Sequence, residues 1–191
     1  MTATVSKGTH RALFVDRDGV INREKDYVWR AEEFEFLPGV FAALREAADR
    51  GYLIIIITNQ AGIARGYYTE EDFRKLTDWM VHKFRDEGVP VTAVYFDPFH
   101  PEGIGKYKKE SLRRKPNPGM IFEAARDHGI SLQQSVLVGD KLTDTEAGRR
   151  AGVGRLFLVR TGHPFAEEEV PEGVEVAEDL REVVERLEKE K

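Results

Sequence analysis

Two aspartates stand one residue apart in Asp16-Arg17-Asp18-Gly19, directly after the apolar run Ala12 to Val15. Carboxylates this close repel each other, so the pair calls for a cation or a shared proton. Three further groups are placed alike. Thr58-Asn59-Gln60 ends a second apolar run, and Arg113-Arg114-Lys115-Pro116 precedes a helix signal. Gly139-Asp140-Lys141 ends another run, with Asp144 four residues beyond Asp140. Hard oxygen ligands such as Asp16 and Asp140 suit Mg²⁺. With its charge screened, Asp16 can approach a phosphate dianion and attack phosphorus, forming an aspartyl-phosphate. Asp18 can protonate the leaving alkoxide and then deprotonate the hydrolytic water. Lys115 and Thr58 can hold the transferring oxygens. Singly, each group is ordinary: Asp-x-Asp-Gly is commonly a turn, an Arg-Lys pair is commonly solvated, and an Asp after Gly can cap a helix. Their joint occurrence, in order, points to phosphoryl transfer.

The elements that must position these residues follow from the pattern of apolar runs. Ala12 to Val15, Leu53 to Ile57, Val91 to Phe96, Val136 to Val138 and Leu156 to Val159 read as buried strands. Helical spacing fills the gaps: from Pro38-Gly39 to Gly51, from an N-cap at Thr69 to Gly88, from Pro118-Gly119 to Gly129, and a short helix ending near Gly152. A last helix is expected over about 179–190. Alternating strands and helices predict an α/β fold: a doubly wound, Rossmann-like parallel sheet in three α/β/α layers. In such sheets ligands bind beyond the carboxyl ends of the strands, where the chemistry-bearing residues lie. Two long connections, 19–37 and 97–117, are expected to be functional or to carry structure of their own. Trp29 and Tyr27, in the first, can form a flap over the site or anchor the loop. The 191 residues form one domain, with its core over about 11–162.

Composition excludes several classes. The chain has no cysteine, which removes disulfides, thiolate metal sites and cysteine nucleophiles, and fits the cytoplasm. Met1 to His10 is polar, so no secretory leader is expected, and no apolar run approaches a membrane span. The net charge is −5, but residues 166–191 hold eleven acids against four bases, leaving +2 on the rest. The body therefore does not repel a phosphorylated ligand. It also lacks the dense basic stripe of a nucleic-acid binder.

The motifs together resemble those of the haloacid dehalogenase (HAD) superfamily of phosphohydrolases. The segments FVDRDGVIN, DYV, FEFLPGV, TNQAGIARGYYTEEDF, RRKPNPGM, VGDKLTD and LVRTG are similar to the D-glycero-D-manno-heptose 1,7-bisphosphate 7-phosphatases and the related histidinol-phosphate phosphatases, over about 11–162. The resemblance implies a HAD-like fold without a large cap, with Asp16 as nucleophile and Asp18 as general acid/base. It implies Mg²⁺ held by Asp16, Asp140 and the backbone carbonyl of Asp18, with Thr58 and Lys115 stabilising the phosphoryl group. Arg17, Glu24, Lys25, Asp26, Tyr27, Asn59, Gln60, Ala61, Arg114 and Lys141 are expected at the substrate. Arg65 can reach a second phosphate or stand as loop surface. The family commonly carries a zinc in the loop before the Arg-Lys-Pro motif. Here its three cysteine positions read Asp97, Ser111 and Arg113, and its histidine position reads Phe99. No zinc is expected, and packing of Phe99 and Tyr107 is expected to order the loop instead.

The expected reaction is removal of the 7-phosphate of a heptose 1,7-bisphosphate, in carbohydrate metabolism, by a cytoplasmic monomer whose partner is the small phosphorylated sugar. Histidinol phosphate is the alternative substrate. A receiver-like phosphoacceptor module is the alternative outside enzymes, although receivers carry their reactive Asp after the third strand.

Overall fold

The computed structural model describes residues 8–188. The polar start of the chain and the last residues of the expected C-terminal helix lie outside the described residues. Among the described residues six parallel strands form one sheet: β1 (Arg11–Val15), β2 (Tyr52–Asn59), β3 (Val91–Asp97), β4 (Val136–Gly139), β5 (Arg155–Val159) and β6 (Val174–Ala177). Their order is β3-β2-β1-β4-β5-β6, so the chain reverses direction of travel between β1 and β4. That switch point opens a crevice at the carboxyl edge, and it brings Asp16 beside Asp140. The register sets the depth: Val15 lies opposite both Ile56 and Val138.

Strands covered on both faces read as continuous apolar runs rather than alternating ones. Leu13, Val15, Ile54 and Ile56 face α1 (Val40–Asp49), α3 (Glu70–Asp86) and α6 (Leu180–Glu188). Ala12, Phe14, Ile55 and Ile57 face α4 (Gly119–His128) and α5 (Leu142–Ala151). The three-layer expectation is met. Thr69 caps α3 as expected. Its hydroxyl accepts from Asp72 N–H at 3.1 Å and its own N–H donates to the Asp72 carboxylate at 2.9 Å.

Three elements depart from the expected set. β2 runs to Asn59, past the apolar stretch. A four-residue helix, α2 (Ala61–Ala64), follows it at once. The sixth strand, β6, was not foreseen; it extends the sheet beyond β5 and leads into α6, the expected last helix. The acidic tail is only in small part a helix face: Glu182, Glu185 and Glu188 fall on α6, which buries Leu180, Val183 and Val184, whereas Glu167–Glu169 form a 3-10 turn and Glu175 lies on β6. No helix among the described residues is long and apolar enough to cross a membrane.

Candidate active site

Asp16 begins where β1 ends, and its backbone N–H still donates to Val138 O at 3.0 Å. Its carboxylate Oδ1 accepts from Lys115 Nζ at 2.9 Å. The same ammonium donates to Ile57 O at 3.0 Å and pairs with Asp144 Oδ1 at 2.7 Å. All three of its protons are thereby placed, which fixes Lys115 as rigidly as a buried lysine can be. Asn59 holds the lysine backbone from β2. Its amide oxygen accepts from Lys115 N–H and its amide nitrogen donates to Lys115 O, both at 3.0 Å.

Asp140 is fully buried, and its Oδ2 accepts from His163 N–H at 2.8 Å. Its Oδ1 is buried without a partner. Asp144 Oδ2 accepts from the backbone N–H groups of Asp140 and Lys141, at 3.2 and 3.0 Å. Carboxylate oxygens of Asp16, Asp140 and Asp144 all lie within 4.8 Å of one another. Three buried acids thus face one ammonium. Burial and the Asp144 charge push the Asp16 carboxyl well above the usual range, with Lys115 opposing. Burial, then Asp144, raise Asp140 as well. Burial disfavours the Lys115 charge, yet Asp144 and Asp16 together hold its pKa above the usual lysine range. Gly19 and Gly162 let the backbone close over this cluster, since a Cβ on either would fall 2.2 Å from Asp140 Oδ2.

Asp18 has a separate set of partners. It accepts from Arg17 Nη2 at 3.0 Å, from Asn22 Nδ2 at 3.0 Å and from Gln60 Nε2 at 3.3 Å. Gln60 Nε2 also donates to Thr58 Oγ1 at 2.8 Å, and Tyr68 OH donates to Gln60 Oε1. One amide therefore ties the acid/base candidate to the phosphoryl-binding candidate.

A cavity of about 440 Å³ opens over these groups. Of the residues expected there, Asp16, Asp18, Glu24, Asp26, Tyr27, Asn59, Gln60, Ala61, Arg65, Arg114, Lys115 and Lys141 line it. Thr58 and Asp140 lie beneath it, buried. Two residues expected at the substrate are turned elsewhere. Arg17 is 1% exposed and points inward, where Nη2 holds Asp18 and Val28 O and the guanidinium lies over the rings of Phe34 and Phe73. Lys25 pairs with Glu35 at 3.1 Å on the outer surface. Four lining residues carried no assigned role in the sequence: Tyr68, His100, Thr143 and His163. Asp144 was legible as part of Gly-Asp-x₃-Asp, but not as the partner of Lys115.

The first long loop divides the two tasks that Trp29 and Tyr27 could perform. Trp29 stacks on Tyr68, with ring centroids 6.2 Å apart, and anchors the loop. Tyr27 stands at the cavity rim, edge-on to Tyr67 at 4.8 Å. Asp26 and Tyr27 both hold left-handed backbone, with φ of 54° and 61°. That is a costly conformation for two consecutive side-chain-bearing residues.

In the second long loop Phe99 and Tyr107 do meet, at 5.9 Å. The stronger tie is polar. Ser111 Oγ donates to Asp97 Oδ1 at 2.6 Å and accepts from Arg113 N–H at 3.2 Å, while Phe99 N–H donates to Asp97 Oδ2 at 3.2 Å. Hydrogen bonds thus join Asp97, Ser111 and Arg113, the three positions at which the family resemblance implies cysteine.

Comparison with known proteins identifies the family. The HAD-hydrolase-like family model matches residues 112–183. D-glycero-alpha-D-manno-heptose-1,7-bisphosphate 7-phosphatase of Burkholderia mallei is 56% identical over 151 residues, 78% of this chain and 80% of that one. The beta-named enzyme of Vibrio cholerae is 46% identical over 173 residues, 90% of this chain and 93% of that one. Among solved structures, D,D-heptose 1,7-bisphosphate phosphatase from B. bronchiseptica, complexed with magnesium and phosphate, superposes with a TM-score of 0.84 at 32% identity. It covers 95% of this chain and 99% of that one. The paired acids here end the first strand and the relatives are phosphatases, which removes the receiver-module reading. The chain belongs to the heptose-bisphosphate phosphatase family of HAD-like phosphoric monoester hydrolases.

Proposed function

We propose that this enzyme removes the 7-phosphate of D-glycero-D-manno-heptose 1,7-bisphosphate through an aspartyl-phosphate on Asp16, leaving the 1-phosphate in place. The observation that carries the chemistry is the buried Asp16–Lys115–Asp144 array, with Asp18 separately held two residues beyond Asp16. A carboxylate oxygen of Asp16 forms the bond to phosphorus as the bond from phosphorus to the C7 oxygen breaks. Asp18 gives its proton to that leaving oxygen. It then takes a proton from water, whose oxygen attacks the acyl phosphate and frees Asp16 and inorganic phosphate. Lys115 and Thr58 are positioned for the charge that builds on the transferring oxygens.

The donor set fits Mg²⁺. Three clustered carboxylates exceed the one ammonium among them, and Asp140 Oδ1 is buried with no hydrogen-bond partner. Asp16, Asp140 and the backbone carbonyl of Asp18 would hold the ion, and Asp144 is already committed to Lys115. Bound there, the ion supplies positive charge that lets an anionic nucleophile meet an anionic phosphoryl group.

The bisphosphate reading is supported by the cations of the cavity wall, Arg65, Arg114 and Lys141. Arg114 Nη1 and Arg65 Nε are buried without partners. Glu24 and Asp26 on the same wall suit sugar hydroxyls. They also keep histidinol phosphate as a competitor, because acids would suit its amine and imidazole. The 56% identical relative is named for the α anomer, and the proposal takes that anomer. It also treats the enzyme as a cytoplasmic monomer. Phosphate release should be measured on both heptose bisphosphate anomers and on histidinol phosphate, with Mg²⁺ and with chelator. Mg²⁺-dependent release, fastest on the α-heptose bisphosphate, is the expected result. Faster turnover of histidinol phosphate would reverse the substrate assignment.

A further inference from the structure

His100 stands outside the phosphoryl-transfer groups, yet it lines the cavity and feels the charges of Arg65 and Arg114. Its backbone is tied within the second long loop. Its N–H donates to Tyr107 O at 3.1 Å, and its carbonyl accepts from Gly103 N–H at 2.9 Å. The ring is oriented too, because Glu102 N–H donates to His100 Nδ1 at 3.0 Å. A ring nitrogen that accepts carries no proton, so the neutral imidazole keeps its proton on Nε2. Charging the ring would set a new N–H against the Glu102 donor. Burial, Arg114 and Arg65 also hold the imidazole below its ordinary pKa, with Glu102 and Glu110 opposing.

We infer that His100 is a specificity-determining residue: as a neutral imidazole it donates Nε2–H to the phosphoryl group that is not cleaved, alongside Arg65 and Arg114. The inference rests on the bisphosphate reading. A neutral donor suits the place. A third full charge would repel the two guanidiniums before substrate arrives, whereas an N–H adds direction without that repulsion.

The test compares wild type, His100→Ala and His100→Gln on heptose 1,7-bisphosphate and on heptose 7-phosphate. For His100→Ala the bisphosphate KM is expected to rise about tenfold, the scale of one hydrogen bond to a charged group. The effect should fall on KM rather than kcat, and the preference for bisphosphate over monophosphate should shrink by the same factor. His100→Gln restores a side-chain N–H and should recover most of it. Nitrogen NMR of histidine-labelled wild type should show the Nε2–H tautomer and titration below 6.5. Equal KM changes on both substrates, or a proton resident on Nδ1, would overturn the inference. If wild type itself does not prefer the bisphosphate, the bisphosphate reading falls and takes this one with it. If wild type prefers it and His100→Ala keeps that preference, only the role of His100 falls.

Discussion

Asp18 shows how closely the two carboxylates of one short motif can differ. Asp16 lies among buried acids beside one lysine, whereas Asp18 accepts three side-chain donors and stays part-exposed at the cavity. Separate environments allow separate roles for chemically identical groups. Asn at position 18 keeps the shape and can still accept from Arg17, but it can neither give nor take the proton. Asp18→Asn is therefore expected to lower steady-state turnover by about 10²–10⁴-fold, the usual range for general acid–base catalysis. Substrates with good leaving groups should still phosphorylate Asp16, and intact-protein mass spectrometry should find the trapped phosphoenzyme. Unchanged dephosphorylation would remove Asp18 from the acid/base role. Arg17 belongs to the same scale. Its place in the motif suggested substrate contact, but its inward turn makes it the guanidinium that holds Asp18 and the loop carbonyl of Val28.

At the scale of the element, the loop between β3 and α4 depends on Asp97, the last residue of β3. Its carboxylate is fully buried and spans Ser111 and the Phe99 N–H. Ser111→Ala removes the hydroxyl that links Asp97 to Arg113, and leaves a buried oxygen short of a donor. About 1–3 kcal/mol of lost stability is expected, read as a lower urea midpoint. Elemental analysis of the purified protein should find no zinc. Asp97 also has a pH signature. Burial raises its carboxyl, outweighing the hydrogen bonds from Ser111 and Phe99 and the charges of Arg113 and Arg114. Its contribution to folding is thus fullest below its unfolded pKa and is lost as pH rises through the raised folded value. Asp97→Asn removes that titration, so the stability gap between wild type and variant should narrow as pH rises above the ordinary aspartate range of about 4. A widening gap would show that the charged form is favoured in the fold. Five strands and the helices between them were legible because fully buried runs and helix caps are local signals. β6 was not, because Val174 to Ala177 is a half-buried edge strand of four residues in an acid-rich segment. Nor was the outward turn of Lys25, which a surface pair with Glu35 decides.

For the whole molecule, the sheet order explains both the site and its cost in stability. Reversal between β1 and β4 places Asp16 against Asp140, and α5 begins close enough to add Asp144. The motif residues could be read from sequence because each ends or follows a strand. Their mutual burial could not, since it depends on register between strands more than a hundred residues apart. Without a cation, the fold keeps three carboxylates around one ammonium, and the raised Asp16 and Asp140 show that their charged forms are disfavoured there. Sites built for function commonly carry such a penalty. Asp140→Asn tests it. The amide oxygen can still accept from His163 N–H, while the amide nitrogen can donate toward Asp16 where Asp140 Oδ1 has no partner. In chelator at neutral pH the variant is expected to be more stable than wild type by about 1 kcal/mol, or roughly 2–4 °C in Tm for a chain of this size. Mg²⁺ should raise the Tm of wild type, by mass action on the folded state, and leave the variant nearly unmoved. Activity should fall with it, so one substitution would separate what the cluster does for the fold from what it does for phosphoryl transfer. A variant less stable than wild type in chelator would mean that the acids are held by partners strong enough to outweigh their mutual repulsion.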